Sequence, residues 1–267
     1  MERQFRSLGL KTTRMAAVDG RALEQADIPL LSTRAKERWR LTPTEIACAL
    51  SHRKVWRKIC ASGHEYATVF EDDILISQKI RTVLQDDAWV PEAVDCVKID
   101  TSEIVGFHTD FRSANLPGFR LSRSVSDMRS TAGYIISREA AARLLLKTQI
   151  IGGPIDVQMF SVGDPDFLEL NYRQLHPAVC TQANHNVVSQ FLPKAAASST
   201  IAPPKPKKLV QRQRMPFGWK KIKRELFRPI RRTVAKVQDI SRALYYRLMF
   251  RAKLTSVSFE DTAASFE

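Results

Sequence analysis

Cysteine is scarce in this chain and its spacing carries no metal signature. The four cysteines among 267 residues, Cys48, Cys60, Cys96 and Cys180, form no C-x-x-C pair and have no histidine at zinc-ligand spacing. That excludes a zinc-ribbon or zinc-finger module, and nothing in it demands an oxidising compartment. Cys48 and Cys60 sit in apolar, helix-like stretches and read as small core residues. Long hydrophobic runs are missing too: no stretch of eighteen apolar residues occurs, which excludes a conventional spanning helix. The first residues lack the basic-then-apolar order of a secretory signal. Internal repeats are absent, which argues against a solenoid. These absences predict a cytoplasmic protein, or one peripheral to a membrane, and not one that crosses it.

What the chain does carry is charge, unevenly placed. The formal net charge is +14. Residues 194–267 hold 18 Lys and Arg against 5 Asp and Glu, a net +13, while the first 193 residues are close to neutral. The expected organisation is a domain over residues 1–192, a Pro/Ala/Ser/Lys linker over 193–210 and a basic helical tail over 211–267. In the tail, Ile222, Leu226, Ile230, Val234, Val237, Leu244 and Leu248 recur at mostly helical spacing. Trp219, Phe227, Tyr245 and Tyr246 flank the stripe, and Pro229 should interrupt it. Such a stripe, with cations opposite, fits an anionic membrane surface first and packing on the domain second. Nucleic acid is a distant third, because the apolar stripe would be wasted on phosphate.

The domain's strongest local signal is Tyr66–Leu75, an apolar β-branched run that ends in Glu71, Asp72 and Asp73. Three adjacent acids repel unless a cation lies among them. The segment is either a solvated acidic turn or the oxygen-ligand site of Mg²⁺ or Mn²⁺. Strand alternation would point Glu71 and Asp73 the same way, toward one metal, with Asp72 opposite. Ahead of it, Thr42, Pro43 and Glu45 form a capping box that starts a helix through about Ala61. His52 on that helix is either a satisfied buried residue or a group reaching a phosphate or the metal shell.

Further elements are less specific. Met1–Leu10 reads as an amphipathic helix, Lys11–Val18 as a short strand, and Asp19–Gly20–Arg21 as a turn open to close ligand approach. Val94–Ile99 and Thr131–Ser137 read as strands, and Arg138–Lys147 as a helix capped by Ser137. Residues 100–129 suggest a flexible loop. Leu168–Tyr172 and Ala178–Thr181 are expected as the last strands.

Taken in order, "MAAVDGR" (15–21), "LTPTEIACALSHRKVWRKI" (41–59), "YATVFEDDI" (66–74), "TAGYIISREAA" (131–141) and "PID" (154–156) resemble glycosyltransferase family 25. That family includes lipopolysaccharide and collagen-modifying galactosyltransferases. The resemblance spans about residues 1–190. It implies an α/β, Rossmann-like nucleotide-sugar domain of the GT-A type, a UDP-sugar donor, and Mn²⁺ (or Mg²⁺) at the carboxylates. Glu71 and Asp73 would hold the metal, Asp73 more strongly. Asp72, His52 and the Asp19–Gly20–Arg21 turn would serve the nucleotide. It further implies inverting transfer of a hexose, galactose first among them, to a glycolipid or oligosaccharide of the bacterial envelope, at the inner face of the inner membrane. Inversion needs a base for the acceptor hydroxyl. Asp156 is the leading candidate, with an N-cap as its structural alternative, and Asp127 is the second. His185 is a further metal-ligand candidate. Family members usually open with an additional strand that helps hold the nucleotide. Its absence here raises the alternative of an impaired, membrane-associated binding module.

Overall fold

The computed structural model describes residues 2–23, 41–102, 105–162, 170–183, 241 and 243–260. The expected linker, the tail stripe as far as residue 240, and His185 lie outside the described residues. Helix α1 (Glu2–Ser7) is followed by extended chain without a strand over residues 11–19, then a single 3₁₀ turn at Gly20–Ala22. The expected strand at Lys11–Val18 is therefore absent. Its backbone bonds go instead to helix α2 (Pro43–Ser62), where Val18 N donates to Ser51 Oγ at 2.9 Å and Lys54 Nζ to Ala16 O at 2.8 Å. Helix α2 starts as its sequence requires: Thr42 and Glu45 cap each other reciprocally, and Gly63 ends the helix in the left-handed region at φ 76°.

Strand β1 (Tyr66–Phe70) then leads to β2 (Ile74–Ile76), a one-turn helix α3 (Ile80–Val83), β3 (Cys96–Lys98) and β4 (Asp100–Thr101). Residues 100–129 are not a flexible loop. They contain the hairpin β5 (Gly106–Ser113) and β6 (Arg120–Ser124), joined by antiparallel pairing with a bulge after Thr109. Polar residues there pair with one another inside the sheet, which hides the alternation that a sequence reading relies on. Strand β7 (Gly133–Ser137), helix α4 (Arg138–Lys147), helix α5 (Ile155–Phe160), β8 (Tyr172–His176), β9 (Cys180–Gln182) and β10 (Lys253–Thr255) complete the order. Strand β8 begins where the sequence placed its end, so the strand expected at Leu168–Tyr172 is displaced toward the C-terminus.

The main sheet has the order β1-β7-β3-β8-β6-β5-β10, and a smaller one the order β2-β9-β4. Among the described strands of the main sheet only β3 and β8 run parallel. The result is a mixed α/β fold with a mostly antiparallel sheet. Period-two alternation sorts the strands between two apolar layers. Tyr134 and Ile136 join Trp56, Ile59, Leu144 and Phe160 on the side of α2, α4 and α5. Ile135 and Val97 join Ile74, Ile80, Trp89 and Leu175 on the other. At Gly133 a Cβ would stand 2.2 Å from Cys180 Sγ, so glycine is the residue that lets β7 pass the second layer.

Residues 253–255, within the segment read from sequence as a separate tail, form the edge strand on β5. The chain then runs on to the small sheet. Thr101 Oγ1 donates to Val257 O at 2.7 Å, Phe259 bridges Ala178, and Lys79 pairs with Glu260.

Candidate active site

The acidic triplet leaves the sheet beside β7. Glu71 N donates to Ala132 O at 3.0 Å, which extends the β1–β7 pairing by one residue. The Glu71 side chain is turned inward. Its Oε1 accepts from Thr131 Oγ1 at 2.5 Å and faces His52 Nε2 at 3.5 Å, while Oε2 accepts from Gln182 Nε2 at 3.1 Å. Burial works to raise the Glu71 pKa, but His52, Thr131 and Gln182 outweigh it and hold the carboxyl below its usual range.

His52 is itself buried and tied to the core. Its Nδ1 lies 2.8 Å from Tyr134 Oη, and that oxygen also accepts from Trp56 Nε1 at 3.0 Å. An indole N–H only donates, so the tyrosine's own proton is available for Nδ1 of a neutral ring. In a charged ring both nitrogens carry protons. Either way Nε2–H faces Glu71, an assignment that follows from the network. Burial disfavours the imidazolium, yet Tyr134, Cys48 and Glu71 together lift the His52 pKa well above its ordinary value.

Cys48 Sγ completes a cluster in which the thiol, imidazole and carboxylate donors lie within 4.8 Å of one another. With Nδ1 on Tyr134 and a proton on Nε2, the ring offers no lone pair, so this cluster reads as a proton-bearing anchor for Glu71. From sequence alone Cys48 reads only as a core residue. Its i, i+4 spacing from His52 was the available signal.

Asp72 is exposed and Asp73 half-buried. Asp73 Oδ1 is buried and has no hydrogen-bond partner among the described residues. Burial first, then the charges of Glu71 and Asp72, push the Asp73 pKa up to about 6. Repulsion of this kind, with an orphaned oxygen, is what a hard divalent cation at Asp73 would relieve, whereas Glu71, expected beside it as a ligand, has both oxygens on protein partners.

Facing the triplet is the strap Arg129–Ala132, with Ser130 at φ 77°. A non-glycine residue held there needs its surroundings to impose it. Lys98 Nζ donates to Ser130 O at 2.6 Å and pairs with the buried Asp100, whose Oδ2 accepts from Ser130 Oγ at 2.6 Å and Ala132 N at 3.1 Å. Asp156 takes the Ser130 amide on Oδ2 at 3.3 Å, and its Oδ1 accepts from Val157 N at 2.8 Å in the first turn of α5. Asp156 is thus bonded by one oxygen to the strap and by the other to its own helix. Asp127, three residues before Ser130, is exposed and accepts from Val162 N at 3.0 Å. Sequence reading found neither Lys98 nor Asp100, since Val94–Ile99 looked like an ordinary strand.

The Asp19–Gly20–Arg21 turn is exposed. Asp19 caps it by accepting from Arg21 N at 2.9 Å and pairs with the Arg21 guanidinium at 2.8 Å, which lowers the Asp19 pKa. A Cβ at Gly20 would stand 2.9 Å from Pro43 O, so the turn packs closely on the start of α2.

Comparison with known proteins supplies the family. The model of glycosyltransferase family 25 (LPS biosynthesis protein) matches residues 1–159. The chain belongs to that family. It is 34% identical over 160 residues to the lacto-N-neotetraose biosynthesis glycosyltransferase LgtB of Neisseria meningitidis serogroup B, covering 54% of this chain and 56% of the relative. It is 31% identical over 171 residues to LgtE of the same organism (58% and 57%), and 31% over 157 residues to the lipooligosaccharide biosynthesis protein lic2B of Haemophilus influenzae (54% and 55%). The chain spans about half the length of these curated relatives.

Proposed function

We propose that this protein is a metal-dependent, inverting glycosyltransferase of the GT-A type, moving a hexose, galactose by preference, from a UDP-sugar to a lipooligosaccharide or related envelope glycan. The observation that carries this reading is Asp73 Oδ1, a buried oxygen without a partner among the described residues, next in sequence to two more carboxylates.

Asp73 would hold Mn²⁺ or Mg²⁺, with the exposed Asp72 next to it in the chain and Glu71 behind. When bound, the ion offsets charge on the sugar-diphosphate leaving group. Glu71, fixed by Thr131, Gln182 and His52, sets the course of the backbone through Asp72 and Asp73. The strap around Ser130 faces them, held by Lys98, Asp100 and Asp156. Of the two carboxylates considered for the acceptor proton, Asp156 is committed to backbone amides. Asp127, exposed on the same loop, carries an amide on Oδ1 where Asp156 carries one on each oxygen, and the role of base falls to it in this reading. Arg21, paired to Asp19, supplies a cation on the loop that the family pattern gives to the nucleotide.

The test is titration calorimetry of UDP-galactose into the protein with and without Mn²⁺, beside the Asp73→Asn variant. Metal-dependent binding that disappears in the variant supports the reading. Absence of binding by the unaltered chain, or binding indifferent to both metal and Asp73, overturns it.

A further inference from the structure

The helix through residues 243–250 has two unlike faces. One is docked on the domain. The Tyr246 ring lies on Phe107 with centroids 5.0 Å apart, Thr109 Oγ1 donates to Phe250 O at 2.9 Å, Ala252 is buried, and β10 follows on the edge of β5. The other face carries Leu244, Tyr245, Leu248 and Met249 at i, i+1, i+4 and i+5, exposed by 52, 53, 77 and 65%. Leu254, just beyond, is exposed by 52%. Arg247, Arg251 and Lys253 stand exposed among them, and residues 241–259 contain no acid.

We propose that this face is a membrane contact, seated on an anionic bilayer with its leucines and methionine in the acyl boundary and its three cations at the headgroups. A contiguous apolar surface of this kind marks an interaction site in a soluble domain. The charge pattern chooses the occupant. A two-fold contact with a second copy would set the same three cations against one another. An anionic surface complements them, and the remaining excess of positive charge in residues 194–267 acts in the same direction. Because the opposite face is stitched to the sheet, the bilayer would meet the folded domain in one orientation. The inference does not depend on the transfer reaction, and its test reads binding alone.

Flotation of the full chain with phosphatidylglycerol/phosphatidylcholine vesicles, and with phosphatidylcholine alone, provides the test. The chain should float with the anionic vesicles and much less with the neutral ones. Leu248→Glu/Met249→Glu should lower the bound fraction on the order of tenfold or more, with circular dichroism unchanged. The milder Leu244→Ser/Leu248→Ser should move binding in the same direction, so that misfolding of one variant does not decide the matter. Wild-type protein that stays in solution with anionic vesicles, or variants that float as well as wild type, would overturn the proposal. So would a dimer in sedimentation velocity that these substitutions dissolve.

Discussion

The two edges of the main sheet depart from ordinary partitioning in opposite senses. At the β1 edge polar groups are taken inside: Glu71, His52 and Tyr134 form one buried chain, and Lys98 and Asp100 are wholly buried beside it. At the β10 edge apolar groups are left outside, with Leu248 and Met249 among the most exposed large hydrophobic side chains described. Buried polar groups cost stability unless every partner is in place, and exposed apolar ones forgo the gain of burial. Both departures fall at the two places to which the proposals assign a role. The first edge fixes a constellation in one geometry, and the second keeps a surface ready for something to cover it.

Breaking the first edge should have the largest effect. Lys98→Met removes the counter-charge of Asp100 and the donor to Ser130 O, and should cost about 3–5 kcal/mol by urea unfolding. Lys98→Met/Asp100→Asn should recover part of that, because the uncompensated charge is gone. A loss under about 1 kcal/mol in the single variant would show that the pair is not buried as described.

His52→Ala should act mainly on function. With the Nε2 donor to Glu71 removed, metal-dependent UDP-galactose affinity should fall about 10–100-fold, the scale of groups that orient others behind a metal site. Titration calorimetry reads this directly, and unchanged affinity would reduce His52 to a core residue.

A smaller effect distinguishes a third region, the sheet interior near the β10 edge. There Ser122 Oγ lies 2.9 Å from His108 Nδ1 and 2.7 Å from His176 Nε2. Burial pushes the pKa of His108 down to about 4; burial, then His108 and Arg120, do the same for His176. Both imidazoles are therefore neutral in the fold, while the unfolded chain takes up these protons near pH 6.5. Between those values the unfolded state binds more protons, so stability is full above about pH 6.5 and is lost as pH falls toward about 4. The urea midpoint should be lower at pH 5 than at pH 7.5, and His108→Gln should flatten that dependence.

The smallest expected change sharpens the contrast. Leu248→Glu/Met249→Glu, the pair that should weaken vesicle binding, should alter unfolding free energy by no more than about 0.5 kcal/mol, since both side chains are largely exposed. A larger loss would mean that the outer face supports the fold.

Several features of this protein are written in adjacent residues. Thr42, Pro43 and Glu45 specify the start of α2 because a capping box closes within four positions, and Gly63 stops the helix for an equally local reason. The strand before Glu71, the helix opened by Ser137, the acidic triplet and the excess of positive charge after residue 194 are legible in the same way. The β5–β6 hairpin was not, because its polar positions find partners only across strands. The roles within the triplet were not either: that Glu71 is held inward and Asp73 keeps an unpartnered oxygen depends on His52, Thr131 and Gln182, which come from three separate segments. The same holds for Asp156, whose carboxylate is committed to the Ser130 amide, and for the helix after residue 243, where Tyr246 packs inward and Leu248 does not. Sequence by itself determined the local elements and the charges they carry, since those depend on neighbours along the chain. Only the tertiary structure decided which charges are paired and which apolar side chains are covered, since burial and hydrogen bonding are set by residues distant in sequence.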